Sequence, residues 1–225
     1  MELFHVLNRG VDKRKIFLND KDFLRFIHDL FVFNDIELSN GNFFHFHSRI
    51  NKGEIGVERP IKKPRKLLVK IHAFCLMPNH YHLLLSPVVD RGIPLFMHKL
   101  DMGYSRYFNE KNKRRGTLFQ GRYKSVPIVK EEHFTHLPYY IHCNPLDIRM
   151  REWRGRKIKS SKEALKFLNS YRWSSHLDYL GKPNFPSVTQ RDFLLEYFGG
   201  IEGYREAMDK WIESFDSLGE EYELE

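Results

Sequence analysis

The stretch CLMPNHYHLLLSP (75–87) places two histidines one residue apart, directly after a Pro-Asn pair. Side chains on a strand alternate between faces, so His80 and His82 share one face while Tyr81 and Leu83 share the other. Two neutral imidazoles side by side are either half of a divalent-metal site or a pair satisfied by hydrogen bonds alone. A second spaced pair, His45 and His47, lies in the strand-like NFFHFHSRI beside a basic loop, where imidazoles are solvated or meet phosphate. His80 and His82 differ in setting. They open an apolar stretch that reads as a central strand, where a polar ring needs a reason to be present.

An ion held by two imidazoles still requires another protein ligand and open positions for a substrate. The segment PYYIHCNP (138–145) offers one. Tyr140 and Asn144 are four residues apart and share a helix face. The Asn144 oxygen is a hard donor suited to a divalent ion, and Tyr140 then presents a phenol hydroxyl beside it. The chemistry such a set supports is attack on a phosphodiester: the ion neutralises the phosphate oxygens and the tyrosine displaces one strand. The resulting ester keeps the bond energy, so a strand hydroxyl can reverse the step without ATP. Mn²⁺ suits imidazole better than Mg²⁺ does. Tyr139 projects about 100° away and is either a packing or base-stacking ring or a second candidate for the attack. Pro138 removes a backbone donor, so the helix either kinks there or restarts with Pro138 in its first turn. His136 and His142 are expected on the surface or facing phosphate.

The charge balance agrees with an anionic partner. The chain has 225 residues, 37 Lys and Arg against 29 Asp and Glu, and a net charge of +8, an excess that either serves solubility or points to nucleic acid. The cations gather around Arg9, Lys13 and Arg14, then Lys62, Lys63 and Arg65, then Arg114, Arg115, Arg122 and Lys124, and finally Arg154 and Arg156. Such clusters hold phosphates with a strong salt dependence. Phe119, Tyr123 and Trp153 lie near them and either stack on unpaired bases or pack in the core. Two widely separated cysteines, Cys75 and Cys143, argue against a disulfide scaffold and for a reducing compartment. No apolar run reaches membrane-spanning length and the first residues lack an apolar leader, so a cytoplasmic protein is expected.

These residues need a scaffold. LFHVLNRG (3–10) reads as a strand. Asn19 or Asp20 caps a helix with Phe23, Phe26, Ile27, Leu30 and Phe31 at helical spacing. LLVKIHAFCLM and HYHLLLSP read as a hairpin joined at Pro78-Asn79, residues 93–112 as a helix, GTLFQGRYKSVPIV as one strand or two short ones, and 130–146 as the interrupted tyrosine helix. Strands alternating with helices in this order predict an α+β domain with an antiparallel sheet and helices packed on it. Residues 1–150 are expected to form that domain. Residues 151–225 are expected as a basic, then helical, extension with an acidic tail.

Taken together, MPNHYHLLL, YIHCNP, HVLNRGVDKRKIFLNDKDFLRFI, GTLFQGRYKS and YRWSSHLDYLG resemble the single-tyrosine HUH transposases, closest to the REP-associated tyrosine transposases and their insertion-sequence relatives. The resemblance spans roughly residues 3 to 181. It implies a ferredoxin-like HUH endonuclease fold, His80, His82 and Asn144 as ligands of Mg²⁺ or Mn²⁺, and Tyr140 as nucleophile. It further implies cleavage and rejoining of single-stranded DNA beside a hairpin through a 5′-phosphotyrosine, by a monomer or homodimer, with Arg9 a hairpin contact. A binding module for hairpin DNA or RNA that no longer cuts is the alternative. A replication initiator, which usually carries a helicase or further domains, does not fit this length.

Overall fold

The computed structural model describes residues 1–37 and 65–216. The strand-like segment around His45 and His47, the cations Lys62 and Lys63, and most of the acidic tail lie outside the described residues. The elements are β1 (Phe4–Arg9), α1 (Asp20–Val32), β2 (Val69–Met77), β3 (His80–Pro87), α2 (Gly92–Lys111), β4 (Lys124–Pro127), α3 (Glu131–Cys143), α4 (Ser161–Leu168), α5 (His176–Tyr179), α6 (Asp192–Phe198) and α7 (Gly200–Glu213), with short 3₁₀ turns at Asn144–Ile148 and Arg151–Gly155.

The strands form one antiparallel sheet in the order β2-β3-β1-β4. With α1 and α2 as crossovers this is the ferredoxin-like arrangement, and the expected α+β class holds. The β2–β3 hairpin turns on Pro78 and Asn79, with Met77 opposite His80. Its tip is fastened from below: Ile16 and Phe17 donate backbone N–H groups to the Pro78 carbonyl, and Gly10 donates to that of Asn79. Gly10 suits this crossing because a Cβ would come within 2.4 Å of the Arg14 carbonyl oxygen.

Both faces of the sheet are covered, which is why β3 is buried over nearly its whole length. Tyr81, Leu83 and Leu85 meet Phe26, Leu30, Phe96, Leu100 and Tyr104 from α1 and α2. Each such aromatic or aliphatic side chain removed from water contributes roughly 1.5–3 kcal/mol. On the opposite face, Ala73, Cys75, Met77 and Leu84 meet α3 and the C-terminal helices through Ile141, Cys143, Leu168, Tyr204 and Met208. An irregular register between Ile71 and Ala73 lets both Ile71 and Phe74 enter the first core.

Residues beyond 150 pack against this sheet and bond to its edge. Leu76 donates to the Trp173 carbonyl, Ser175 to that of Phe74 and Gln190 to that of Ile71, which covers the outer edge of β2. Ser160 caps α4, accepting from the Glu163 N–H, and Gly199 ends α6 in the left-handed region at φ 77°.

Burial holds several imidazoles neutral. Desolvation pulls His72 down to about 4 and His176 to about 3. An unfolded chain has its histidines near 6.5, so below that pH the unfolded state binds more protons and stability falls. Asp101 and Asp178, raised by burial, act in the opposite sense but are outnumbered by depressed imidazoles. Thermal unfolding should therefore shift downward between pH 7 and pH 5.5, by on the order of 1 kcal/mol per buried imidazole. A midpoint unchanged or higher at pH 5.5 would contradict these assignments.

Candidate active site

Register decides which residues meet. In the β1–β3 ladder Leu7 lies opposite His82 and Arg9 opposite His80, and in the β1–β4 ladder Lys124 lies opposite Leu7. Opposed residues share a face, so His5, Arg9, His80, His82 and Lys124 all stand on the side of the sheet that α3 crosses. His80 and His82 are both buried, with ring centroids 5.0 Å apart at 82°.

The hydrogen bonds settle where their protons sit. Asn79 donates its amide Nδ2 to the Lys13 carbonyl, which turns its Oδ1 toward His80. That oxygen can only accept, so His80 donates from Nδ1 at 2.7 Å and keeps a lone pair on Nε2. His82 Nδ1 lies 2.8 Å from His5 Nε2, while His82 Nε2 is buried with no hydrogen-bond partner. A proton on Nε2 would strand a donor, so the proton sits on Nδ1, where His5 accepts it. Two Nε2 lone pairs are thus left for a cation. Burial also keeps the rings neutral: it pulls His80 down to about 4, with Arg9 adding to the effect, and His5 to about 4. His82 is depressed further by burial and by its cationic and imidazole neighbours. Among the described residues no group of three or more His, Cys, Asp or Glu side chains forms a metal cluster, so a third ligand from these residues would be of another type. Asn144 is of that kind.

The helix α3 brings Tyr140 to this pocket. It runs as one helix from Glu131 to Cys143 with Pro138 inside it, so it does not restart at Pro138, and Asn144 caps its C-terminus. The Tyr140 ring stands edge-on to His82 with centroids 5.6 Å apart, and to His5 at 6.0 Å. Asn144 is fully buried; its backbone N–H and its side-chain amide both return to the Tyr140 carbonyl. Its Oδ1 accepts from Arg154 at 3.2 Å, and the Tyr140 hydroxyl accepts from the same guanidinium at 3.0 Å. Tyr139 faces away, stacked on Trp211 at 4.9 Å, which settles it as a packing ring.

Residues 60–144 match the family model for IS200-like transposases. That stretch is what the chain shares with the family. It covers less than half of the chain, yet it contains His80, His82, Tyr140 and Asn144 and ends on the last of them. No curated protein matches the chain. Among solved structures, one described as a REP-associated tyrosine transposase bound to a REP hairpin is similar, with 13% identity over 85% of this chain and 86% of that one and a TM-score of 0.42.

Within the matched segment and around it, the expected cations take different positions. Arg9, Lys13, Arg115, Arg122 and Lys124 are exposed, with Arg9 and Lys124 on the histidine face. Arg65 is tied to α1, lying over the Phe31 ring and donating to the Phe31 carbonyl. Arg114 closes its own loop through Asn109 and Thr117. Arg14 bonds the Val11 carbonyl, and Arg156 lies against Trp211. Phe119 is buried in the α1/α2 core and Trp153 beneath Tyr140, so both pack. His142 is not on the surface as expected but fully buried. His5 and Asp147 were not anticipated. His5 sits on the same face as Arg9 in the alternation of β1, a signal that acquires meaning only once β1 is paired with β3.

What fixes α3 is a buried polar chain. The Ser175 hydroxyl lies 2.8 Å from His142 Nε2, Tyr204 joins His142 Nδ1 to His176 Nδ1 at 2.7 Å each, and His176 Nε2 reaches Asn169 at 3.1 Å. It anchors the tyrosine helix to α7, α5 and the covered edge of β2. Replacing Tyr204 with Phe leaves two buried imidazoles each short of a partner. The variant should lose about 1–3 kcal/mol of stability, read as a lower denaturant midpoint at unchanged slope. An unchanged midpoint would mean that the chain does not anchor α3.

Proposed function

We propose that the protein is a metal-dependent single-strand DNA transposase and endonuclease, acting on a hairpin-bearing DNA end through a covalent 5′-phosphotyrosine at Tyr140. The observation that carries this reading is the Tyr140 ring standing edge-on to His82 and His5, although these residues come from α3, β3 and β1. The IS200-like match of residues 60–144 supports strand cleavage and transfer as the reaction class. The hairpin rests on the motif resemblance.

His80 and His82 would hold Mg²⁺ or Mn²⁺ through their Nε2 lone pairs, with the Asn144 oxygen as third ligand once it is released from Arg154. Such an ion neutralises the non-bridging oxygens of a phosphodiester. The chain's own residues do the rest. His5 keeps the proton of His82 on Nδ1 and so orients that ring. Arg9 and Lys124 offer free positive charge on the same face for the backbone of the strand. Tyr140 gives up its phenolic proton and forms the Oη–phosphorus bond as the phosphorus–O3′ bond breaks, and the departing 3′-oxygen takes a proton. Rejoining reverses these steps with another 3′-hydroxyl. The histidines and the tyrosine belong to one chain, so a single protomer carries the whole set, and a soluble cytoplasmic protein suits the substrate. No helix among the described residues is long and apolar enough to cross a membrane.

An oligonucleotide with a hairpin and a single-stranded flank should give a denaturant-resistant protein–DNA adduct that requires Mg²⁺ or Mn²⁺. Tyr140→Phe should abolish the adduct while still binding the oligonucleotide, and Tyr139→Phe should retain it. His82→Ala should slow adduct formation by 100-fold or more and weaken Mn²⁺ binding measured without DNA. An adduct persisting in Tyr140→Phe would refute the assignment. Tight hairpin binding without cleavage under any divalent ion would favour the non-cutting module instead.

A further inference from the structure

We propose that Arg154 is a catalytic residue of this site, holding the attacking oxygen of Tyr140 and placing a fixed positive charge on it, with Asp147 as the positioning residue that aims the guanidinium. The proposal deepens the reading of Tyr140 as the nucleophile and rests on it. Neither residue belongs to the segment that matches the IS200-like model, which ends at Asn144.

The geometry is that of a built contact. Arg154 Nε reaches the two Asp147 carboxylate oxygens at 2.9 and 3.2 Å, and Nη2 reaches Oδ2 at 2.7 Å. A two-point pairing of this kind fixes the plane of the guanidinium as well as its position. Asp147 is itself held, since Trp153 donates its indole N–H to Oδ1 at 2.6 Å. The other edge of the fork then points at the two side chains that would act on a phosphate. Nη1 donates to the Tyr140 hydroxyl and Nη2 to the Asn144 oxygen. The guanidinium carbon lies 5.4 Å from the Tyr140 ring centroid and 5.2 Å from that of Trp153, so both rings limit its movement.

An ion pair that only tied the two 3₁₀ turns together would be satisfied by Asp147. Partly exposed pairs of that sort contribute little, and nothing in them requires the outer edge of the fork to reach a phenol. Here that edge supplies what the displacement lacks. As the Oη–phosphorus bond forms and the phosphorus–O3′ bond breaks, negative charge passes through the phenol oxygen, and the hydrogen bond from Nη1 stabilises it. The same contact supports the phenol oxygen when it is expelled during rejoining. Arg154 thus differs from the rim cations, which act on the strand as a whole. Its release of Asn144 is a separate event from its hold on Tyr140, because the two contacts use different nitrogens.

The test is single-turnover adduct formation at saturating hairpin oligonucleotide, alongside the Kd of the same oligonucleotide and its salt dependence. Arg154→Ala should slow the adduct step about 100-fold, in line with loss of one preorganised donor at developing charge, with Kd changed less than threefold and the salt slope unchanged. Arg154→Lys, which keeps charge but not the fork, should recover part of the rate and carries the test should the alanine variant not fold. Asp147→Asn should lose about 10-fold, since the guanidinium remains but its aim is relaxed. A saturated rate in Arg154→Ala equal to wild type would overturn the proposal. So would weakened binding with a shallower salt slope as the sole defect, which would make Arg154 a phosphate contact like its neighbours. A wild-type protein that forms no adduct would overturn the reading of Tyr140 and this one with it, an outcome distinct from either.

Discussion

Everything proposed for this molecule depends on α3 lying across the histidine face of the sheet at one rotation and height. The restraint is a line of buried hydrogen bonds through His142, Tyr204 and His176, reinforced by apolar packing of Ile141 and Cys143. His142 is two residues from Tyr140, so the groups that lock the helix and the group that would react point to different sides of it. Rotating the helix to expose His142 would strand buried polar atoms, a cost that holds the phenol at His82 without any contact from the phenol itself.

The C-terminal third of the chain is therefore part of the machinery. It covers the outer edge of β2, supplies Tyr204 and His176 to the lock, and brings Arg154 to the hydroxyl. A sheet face carrying several imidazoles and an open edge would be a poor surface to leave in water, and it would invite pairing with another chain. Covering it leaves a pocket in which neutral imidazoles persist, since burial opposes their protonation. The same burial that depresses His80 and His82 keeps their lone pairs available near neutral pH.

The pocket also combines two kinds of positive charge. Arg9 and Lys124 stand at the rim, exposed, where water weakens any single contact and only their sum matters. Arg154 is held between two rings and a carboxylate, so its direction is defined as well as its sign. Groups of the first kind suit recognition of a polyanion. The second kind suits action at one atom.

Much of this could be read from residue order alone. Strand alternation puts His80 and His82 on one face, helical spacing puts Tyr140 and Asn144 on another, and the apolar periods mark the hairpin and the two crossover helices. These are local regularities, determined within a few residues by backbone geometry. The status of His5, His142, Asp147 and Arg154 is of another kind. Each looks like an ordinary polar residue until β1 pairs with β3, α3 docks on the sheet and the turns after Asn144 fold back. Those meetings join residues far apart in the chain, and they are decided by packing and by the need to satisfy buried polar atoms, for which a linear pattern holds no period.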